Sequence, residues 1–162
     1  MLLLVAIGLA GFVALSDVII LQLYDERYAQ AAIMLPLMLL GVWVSILSTV
    51  NDSVLLGTAK PAFPAIANAA KLATFIIGVP IAFHYYGLLG ALIVLNVGEV
   101  VRYIVLWAFS RRQHLAFGRD DLALTTLFII GVLAARELFW LVGLTGDLNA
   151  LFPVFQPELW AQ

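Results

Sequence analysis

Long apolar runs broken by short polar segments dominate this chain. A helix rising 1.5 Å per residue needs about 20 mostly apolar residues to cross about 30 Å of hydrocarbon. Five such runs occur, at 2–23, 32–57, 61–83, 88–109 and 122–142. The alternation of polar and apolar positions that marks a membrane β-barrel strand is absent. The runs are therefore expected to be helices, because each backbone polar group in lipid must be paired within its own segment. The connections at 24–31, 58–60, 84–87 and 110–121 are short, so sequential helices are expected to be antiparallel neighbours. Pro36, Pro64 and Pro80, with Gly41, Gly78 and Gly98, fall inside the runs, where such residues mark kinks or close helix contacts.

Composition agrees with the pattern. Of 162 residues, 64% are hydrophobic and 11% charged, against roughly 45–50% and 25% in a soluble domain. With a mean hydropathy of +1.09, the chain has too little polar surface to coat a water-facing core. A net charge of -2 supplies no basic field for nucleic acid, and zero Cys removes disulfides, thiolate metal sites and cysteine nucleophiles. No metal-ligand set, cofactor cradle or catalytic motif is visible, which argues against an enzyme. Asp120 and Asp121 lack the third carboxylate at helical spacing that a magnesium-diphosphate enzyme would need, and read as a solvated loop.

Charge in the connections orients the spans. Lys60, Arg111, Arg112 and Arg119 fall on one side and only Arg27, beside Asp25 and Glu26, on the other, so the positive-inside rule puts the N-terminus in the cytoplasm. Residues 1–143 then form a membrane bundle. The tail 144–162, with Asp147, Glu158 and Trp160, lies outside or at the interface. Tyr24, Tyr85, Tyr86 and Trp140 at span ends read as interface anchors. Met1 runs straight into Leu2 with no basic region, so the first run is a span rather than a secretory signal. The missing Lys or Arg ahead of it leads us to expect a fragment of a longer protein.

Candidate chemistry lies in the ionisable residues within the spans, each of which costs from about 2.5 to more than 10 kcal/mol at the bilayer centre unless paired or hydrated. They are Asp17, Asp52, Lys71, Glu99, Arg102, Arg136 and Glu137. Lys71 and Glu99 fall near the midplane, Arg102 one turn closer to the cytoplasm, and Asp52 near the inner surface. Asn96, Glu99 and Tyr103 share a helical face, Arg102 stands at i+3 from Glu99, Asn68 stands at i-3 from Lys71, and Ser45, Ser48, Thr49 and Asp52 form a polar stripe. These faces are expected to turn toward a common hydrated interior. In the plainer reading, Glu99 and Arg102 neutralise each other in a packed bundle. Lys71 has no partner on its own helix and calls for a lumen or a carboxylate from another helix. Arg136 and Glu137 read as structural or interfacial, and His84 and His114 as boundary residues.

Several segments together resemble a known family. They are Leu23-Tyr24-Asp25-Glu26-Arg27-Tyr28-Ala29-Gln30-Ala31-Ala32, Leu55-Leu56-Gly57-Thr58-Ala59-Lys60-Pro61, Asn68-Ala69-Ala70-Lys71, Gly87-Leu88-Leu89-Gly90-Ala91 and Gly98-Glu99-Val100-Val101-Arg102-Tyr103. In order and spacing, over about residues 15 to 120, they resemble the C-terminal half of bacterial polysaccharide and oligosaccharide flippases. These form the Wzx-like branch of the multidrug/oligosaccharidyl-lipid/polysaccharide exporter superfamily. The resemblance implies an all-α integral membrane fold of two lobes around a central cavity, in the bacterial cytoplasmic (inner) membrane, with this chain as part of the C-terminal lobe. It implies transport of lipid-linked oligosaccharide by alternating access, in polysaccharide or lipopolysaccharide biosynthesis, with the N-terminal lobe and membrane lipids as partners. Lys71, Arg102 and Asn68 would hold the polyprenyl diphosphate headgroup, and Glu99, Asp52 and Asp17 would serve ion coupling. The chain departs from that pattern in lacking the N-terminal lobe and in counting four buried acids against three bases. Other readings use the same residues: a cation-coupled exporter of cationic drugs, with Glu99 and Asp17 as binders; a structural subunit whose charges pair with a partner's; or a membrane transferase built on Asp120 and Asp121.

Overall fold

The computed structural model describes residues 2–23, 29–113 and 118–143, except the side chains of residues 17, 21–23 and 29–33. Most of the described residues are helical: α1 Leu2–Leu23, α2 Ala29–Gly57, α3 Ala62–Arg112 and α4 Gly118–Leu141. Three helices are long and apolar enough to cross a membrane: α3, α4 and Met34–Gly57 within α2. Tyr24, Arg27, His114 and the expected tail at 144–162 lie outside the described residues.

The expected connection at 84–87 is almost entirely helical, and the chain reverses at one residue. At 51 residues, a straight α3 would extend about 76 Å. Gly87 instead adopts φ 61 and ψ -148, a conformation open only to glycine. The flanking arms, 62–86 and 88–112, then pack antiparallel. A Cβ built on Gly78 would stand 2.7 Å from Val94, Gly98 faces the Phe75 ring, and Phe63 stacks on Phe109 with centroids 4.5 Å apart. Side chains on Gly78 or Gly98 would hold the arms apart, which explains small residues at those two positions.

The α2–α3 junction is tight. Ala59 takes a left-handed conformation (φ 57), letting the Lys60 amide donate to the Leu55 carbonyl at 3.2 Å and the Thr58 amide to Val54 at 3.1 Å. Lys60 Nζ donates to Gln113 Oε1, so this junction and the last turn of α3 share one end of the hairpin. Arg111 and Arg112 are exposed there, while Tyr85 and Tyr86 are exposed at the reversal.

Two compact units result. In Leu40–Ala123, the later part of α2 packs on the hairpin through a core of Leu55, Ala67 and Leu106, flanked by Phe63 and Val105. Asn96 meets Gly41 in the same unit. The other unit comprises Met1–Leu39 and Leu124–Gln162. In it, Ala6, Ala10, Val13 and Ala14 of α1 and Phe128 and Val132 of α4 are buried. A Cβ built on Gly131 would stand 3.4 Å from the Ala10 Cβ, and Arg136 donates to the Ala14 carbonyl, so within that unit α1 and α4 run in the same direction.

Both units reverse the polarity of a water-soluble domain. Leu4, Ile76, Ile77, Leu127 and Ile130 are exposed, while Ser16, Ser48, Asn51, Ser110, Asp121 and Arg136 are buried. Burying polar side chains under an apolar exterior suits lipid as the surrounding solvent.

Candidate functional site

In the Leu40–Ala123 unit the intramembrane charges join end to end. Lys71, nine residues into the first arm of α3, donates through Nζ to Glu99 Oε1, eleven residues into the second. Glu99 Oε2 lies 4.0 Å from Arg102 Nη1 one turn on, and Arg102 Nη2 donates to Asp52 Oδ2 on α2. Two cations alternate with two anions, drawn from three helical segments. Side-chain exposure runs from 12% at Arg102 and 13% at Asp52 to 16% at Glu99 and 23% at Lys71, so the chain is mostly withdrawn from the surface. Lys71 Nζ also sits 5.4 Å from the Phe75 ring centroid.

The sequence suggests Glu99 with Arg102 as the main pair. In the structure that contact is the loosest of the three, and each residue has a nearer partner on another segment. Lys71 meets a carboxylate from another segment, one of its two expected environments. Lys71 and Arg102 thus each face a carboxylate across a helix contact. Several buried atoms have no hydrogen-bond partner: Ser48 Oγ, Asp52 Oδ1, Glu99 Oε2 and Arg102 Nε. Hydrogen-bonding capacity thus remains at both carboxylates and at the guanidinium.

Other expected members divide. Asn68 is exposed and lies outside the charge chain. Asp17 belongs to α1, with its side chain outside the described residues. The α2 stripe splits, with Ser48 and Asp52 turned inward while Thr49 is exposed and donates to the Ser45 carbonyl at 2.9 Å. Asn96 donates to its own helix at Leu92 O, 2.9 Å away.

Asp121 overturns the solvated-loop expectation. α4 begins at Gly118, and Asp121 in its first turn is only 5% exposed, whereas Asp120 is exposed. Asp121 Oδ2 accepts hydrogen bonds from Asn51 Nδ2 at 2.9 Å and Tyr103 Oη at 3.0 Å. Asp121 enters the sequence reading only as half of a transferase carboxylate pair, and Asn51 not at all. The available signal for Asn51 is its place beside Asp52 at the end of the polar positions Ser45, Ser48 and Thr49.

In the other unit, Arg136 is fully buried and donates through Nη1 to the Ala14 carbonyl at 2.9 Å. Ser16 donates to Val13 O at 2.7 Å, and Glu137 is exposed. Arg136 thus ties α4 to α1. Among the described residues, no group of three or more His, Asp or Glu side chains is placed to hold a metal ion.

No protein-family model, curated relative or solved structure matches the chain.

Proposed function

We propose that this chain is part of a membrane transporter and that the Lys71–Glu99–Arg102–Asp52 chain is its substrate- and ion-responsive element. One observation carries the reading: Lys71 and Arg102 are each held by a carboxylate from a different helical segment, so relative movement of segments changes which of these charges are paired. The substrate class follows the flippase resemblance: a lipid-linked oligosaccharide whose anionic diphosphate competes with Glu99 and Asp52 for Lys71 and Arg102. Arginine suits such competition because its planar donors grip phosphate oxygens in pairs.

The membrane arrangement is part of the proposal. α1, α2, the two arms of α3, and α4 make five spans of the bacterial cytoplasmic membrane, with the N-terminus inside. The Lys60–Gln113 bond supports the orientation, since it gathers Lys60, Arg111 and Arg112 at one end of the hairpin. The common direction of α1 and α4 also supports it, because the first and fifth spans run alike.

The balanced charge count favours a second reading, in which the chain only neutralises itself in a structural subunit. Export of lipid-linked glycan by cells carrying the full-length protein separates the two. The transport reading expects Lys71→Ala and Arg102→Ala each to abolish export at normal membrane abundance, and the neutral double variant Asp52→Asn/Arg102→Gln to abolish it as well. Undiminished export by that double variant establishes the structural reading.

A further inference from the structure

Asn51 and Tyr103, the two donors to Asp121, are the sequence neighbours of Asp52 and Arg102, the partners of the ion pair next to them. Adjacent helical residues lie 1.5 Å apart along the axis and about 100° apart around it. Fixing the heights of Asn51 and Tyr103 therefore fixes the heights of Asp52 and Arg102. We infer that Asp121 is a positioning residue for the Arg102–Asp52 pair: one carboxylate oxygen fastens α2 to the second arm of α3 in the register at which those two charges meet.

Three features support this role. The two bonds converge on Oδ2, so displacement of Asp121 loosens both helices together. Asp121 and Asn51 are 5% and 3% exposed, leaving little access for water to replace a broken bond. The register also has no short covalent support, because Asp52 and Arg102 are 50 residues apart. A movement of the first turn of α4 would thereby reach the charge chain without touching it. Asp121's part in transport rests on the reading proposed above, whereas its hold on Asp52 and Arg102 does not.

The test is a double-mutant cycle read in three backgrounds. The full chain is reconstituted in nanodiscs of fixed lipid composition, and the stability coupling between Asp52 and Arg102 is measured with Asp52→Asn, Arg102→Gln and both. The cycle is then repeated with Asp121→Leu and Asp121→Asn. Asp121→Leu is expected to cut the coupling to about half or less, while Asp121→Asn, which keeps an acceptor oxygen, preserves most of it. A coupling unchanged in Asp121→Leu overturns the inference, even if that variant is less stable, since general destabilisation would not touch the pair. If Asp121→Leu fails to fold, Tyr103→Phe removes one bond with little change of shape. A partial loss of coupling is then expected, and no loss refutes the role. Reduced coupling together with intact glycan export in Arg102→Ala would sink the transport reading alone.

Discussion

Neutralising the four linked charges one at a time should produce an order of stabilities dictated by their connectivity. Replacing an end member, Lys71→Met or Asp52→Asn, leaves three charges, and the cation or anion that loses its partner still has an opposite charge beside it. Replacing an inner member strands an end: Glu99→Gln leaves Lys71 without its carboxylate, and Arg102→Met leaves Asp52 without its cation. At 4.0 Å, the Glu99–Arg102 separation, unit charges attract by about 4 kcal/mol at an effective dielectric near 20. Desolvation offsets much of that attraction, but stranding one member of a buried pair costs about 3–5 kcal/mol. The residual exposure of 12–23% lets water relieve part of the cost. We expect about 1–2 kcal/mol for either end variant and about 2–4 kcal/mol for either inner one. A variant neutral at all four positions should fall within about 1 kcal/mol of the native chain, because no stranded charge remains. Dodecyl sulfate titration of the chain in mixed micelles, followed by far-ultraviolet circular dichroism, measures each value. Equal losses at inner and end positions, or a fully neutral variant as unstable as Glu99→Gln, would refute the alternating chain.

Three further outcomes concern the frame that holds the charges. Gly87→Ala should cost about 1–3 kcal/mol in the same titration, because φ 61 with ψ -148 is closed to a residue bearing a Cβ. Ala59→Gly should stabilise the chain by about 0.5–1 kcal/mol, since glycine relieves the left-handed strain at φ 57 while adding some freedom to the unfolded chain. In this cysteine-free sequence, Lys60→Cys with Gln113→Cys should be joined by a bis-maleimide whose spacer replaces the two long side chains that meet there. Cysteines placed at 60 and 85 should not, as read by gel mobility.

The sequence exposes what depends on length and local spacing, and hides what depends on helix register. Apolar runs long enough to cross lipid locate the helices, and 61–83 with 88–109 anticipate the two arms of α3. Four residues at 84–87 look like a loop because polar and aromatic residues gather there, yet one glycine suffices for the reversal. Glu99 and Arg102 are visible as a pair because i,i+3 spacing is local. The tighter contacts, Lys71 with Glu99 and Arg102 with Asp52, join residues 28 and 50 apart and depend on how the segments slide past one another. Asp120 and Asp121 look alike in sequence, but adjacent helical positions diverge by about 100°, enough to expose one and bury the other. The same divergence separates Ser48 from Thr49 and defeats the expectation of one continuous α2 stripe.

The way the segments are joined also indicates where charge pairing is free to change. The arms of α3 share the Gly87 reversal and meet along their length through Val94 at Gly78, Phe75 at Gly98 and Phe63 on Phe109. Lys71 and Glu99 therefore belong to a hairpin that is covalently closed and tightly packed. α2 is tied to the first arm by the turn at 58–61, but no short link joins it to the second. Its register on that arm depends on Asn96 at Gly41, Leu55 in the small apolar core, and the polar contacts of Asn51 and Asp52. In the transport reading proposed above, a ligand would shift α2 against that arm only by binding two arrangements unequally. The contact best placed to register that difference is Arg102–Asp52, because it crosses the boundary with the weakest covalent constraint. An anion that takes Arg102 from Asp52 leaves a carboxylate with one oxygen already lacking a partner. A shift of α2 would relieve that carboxylate and so couple anion capture to a second event in the same unit.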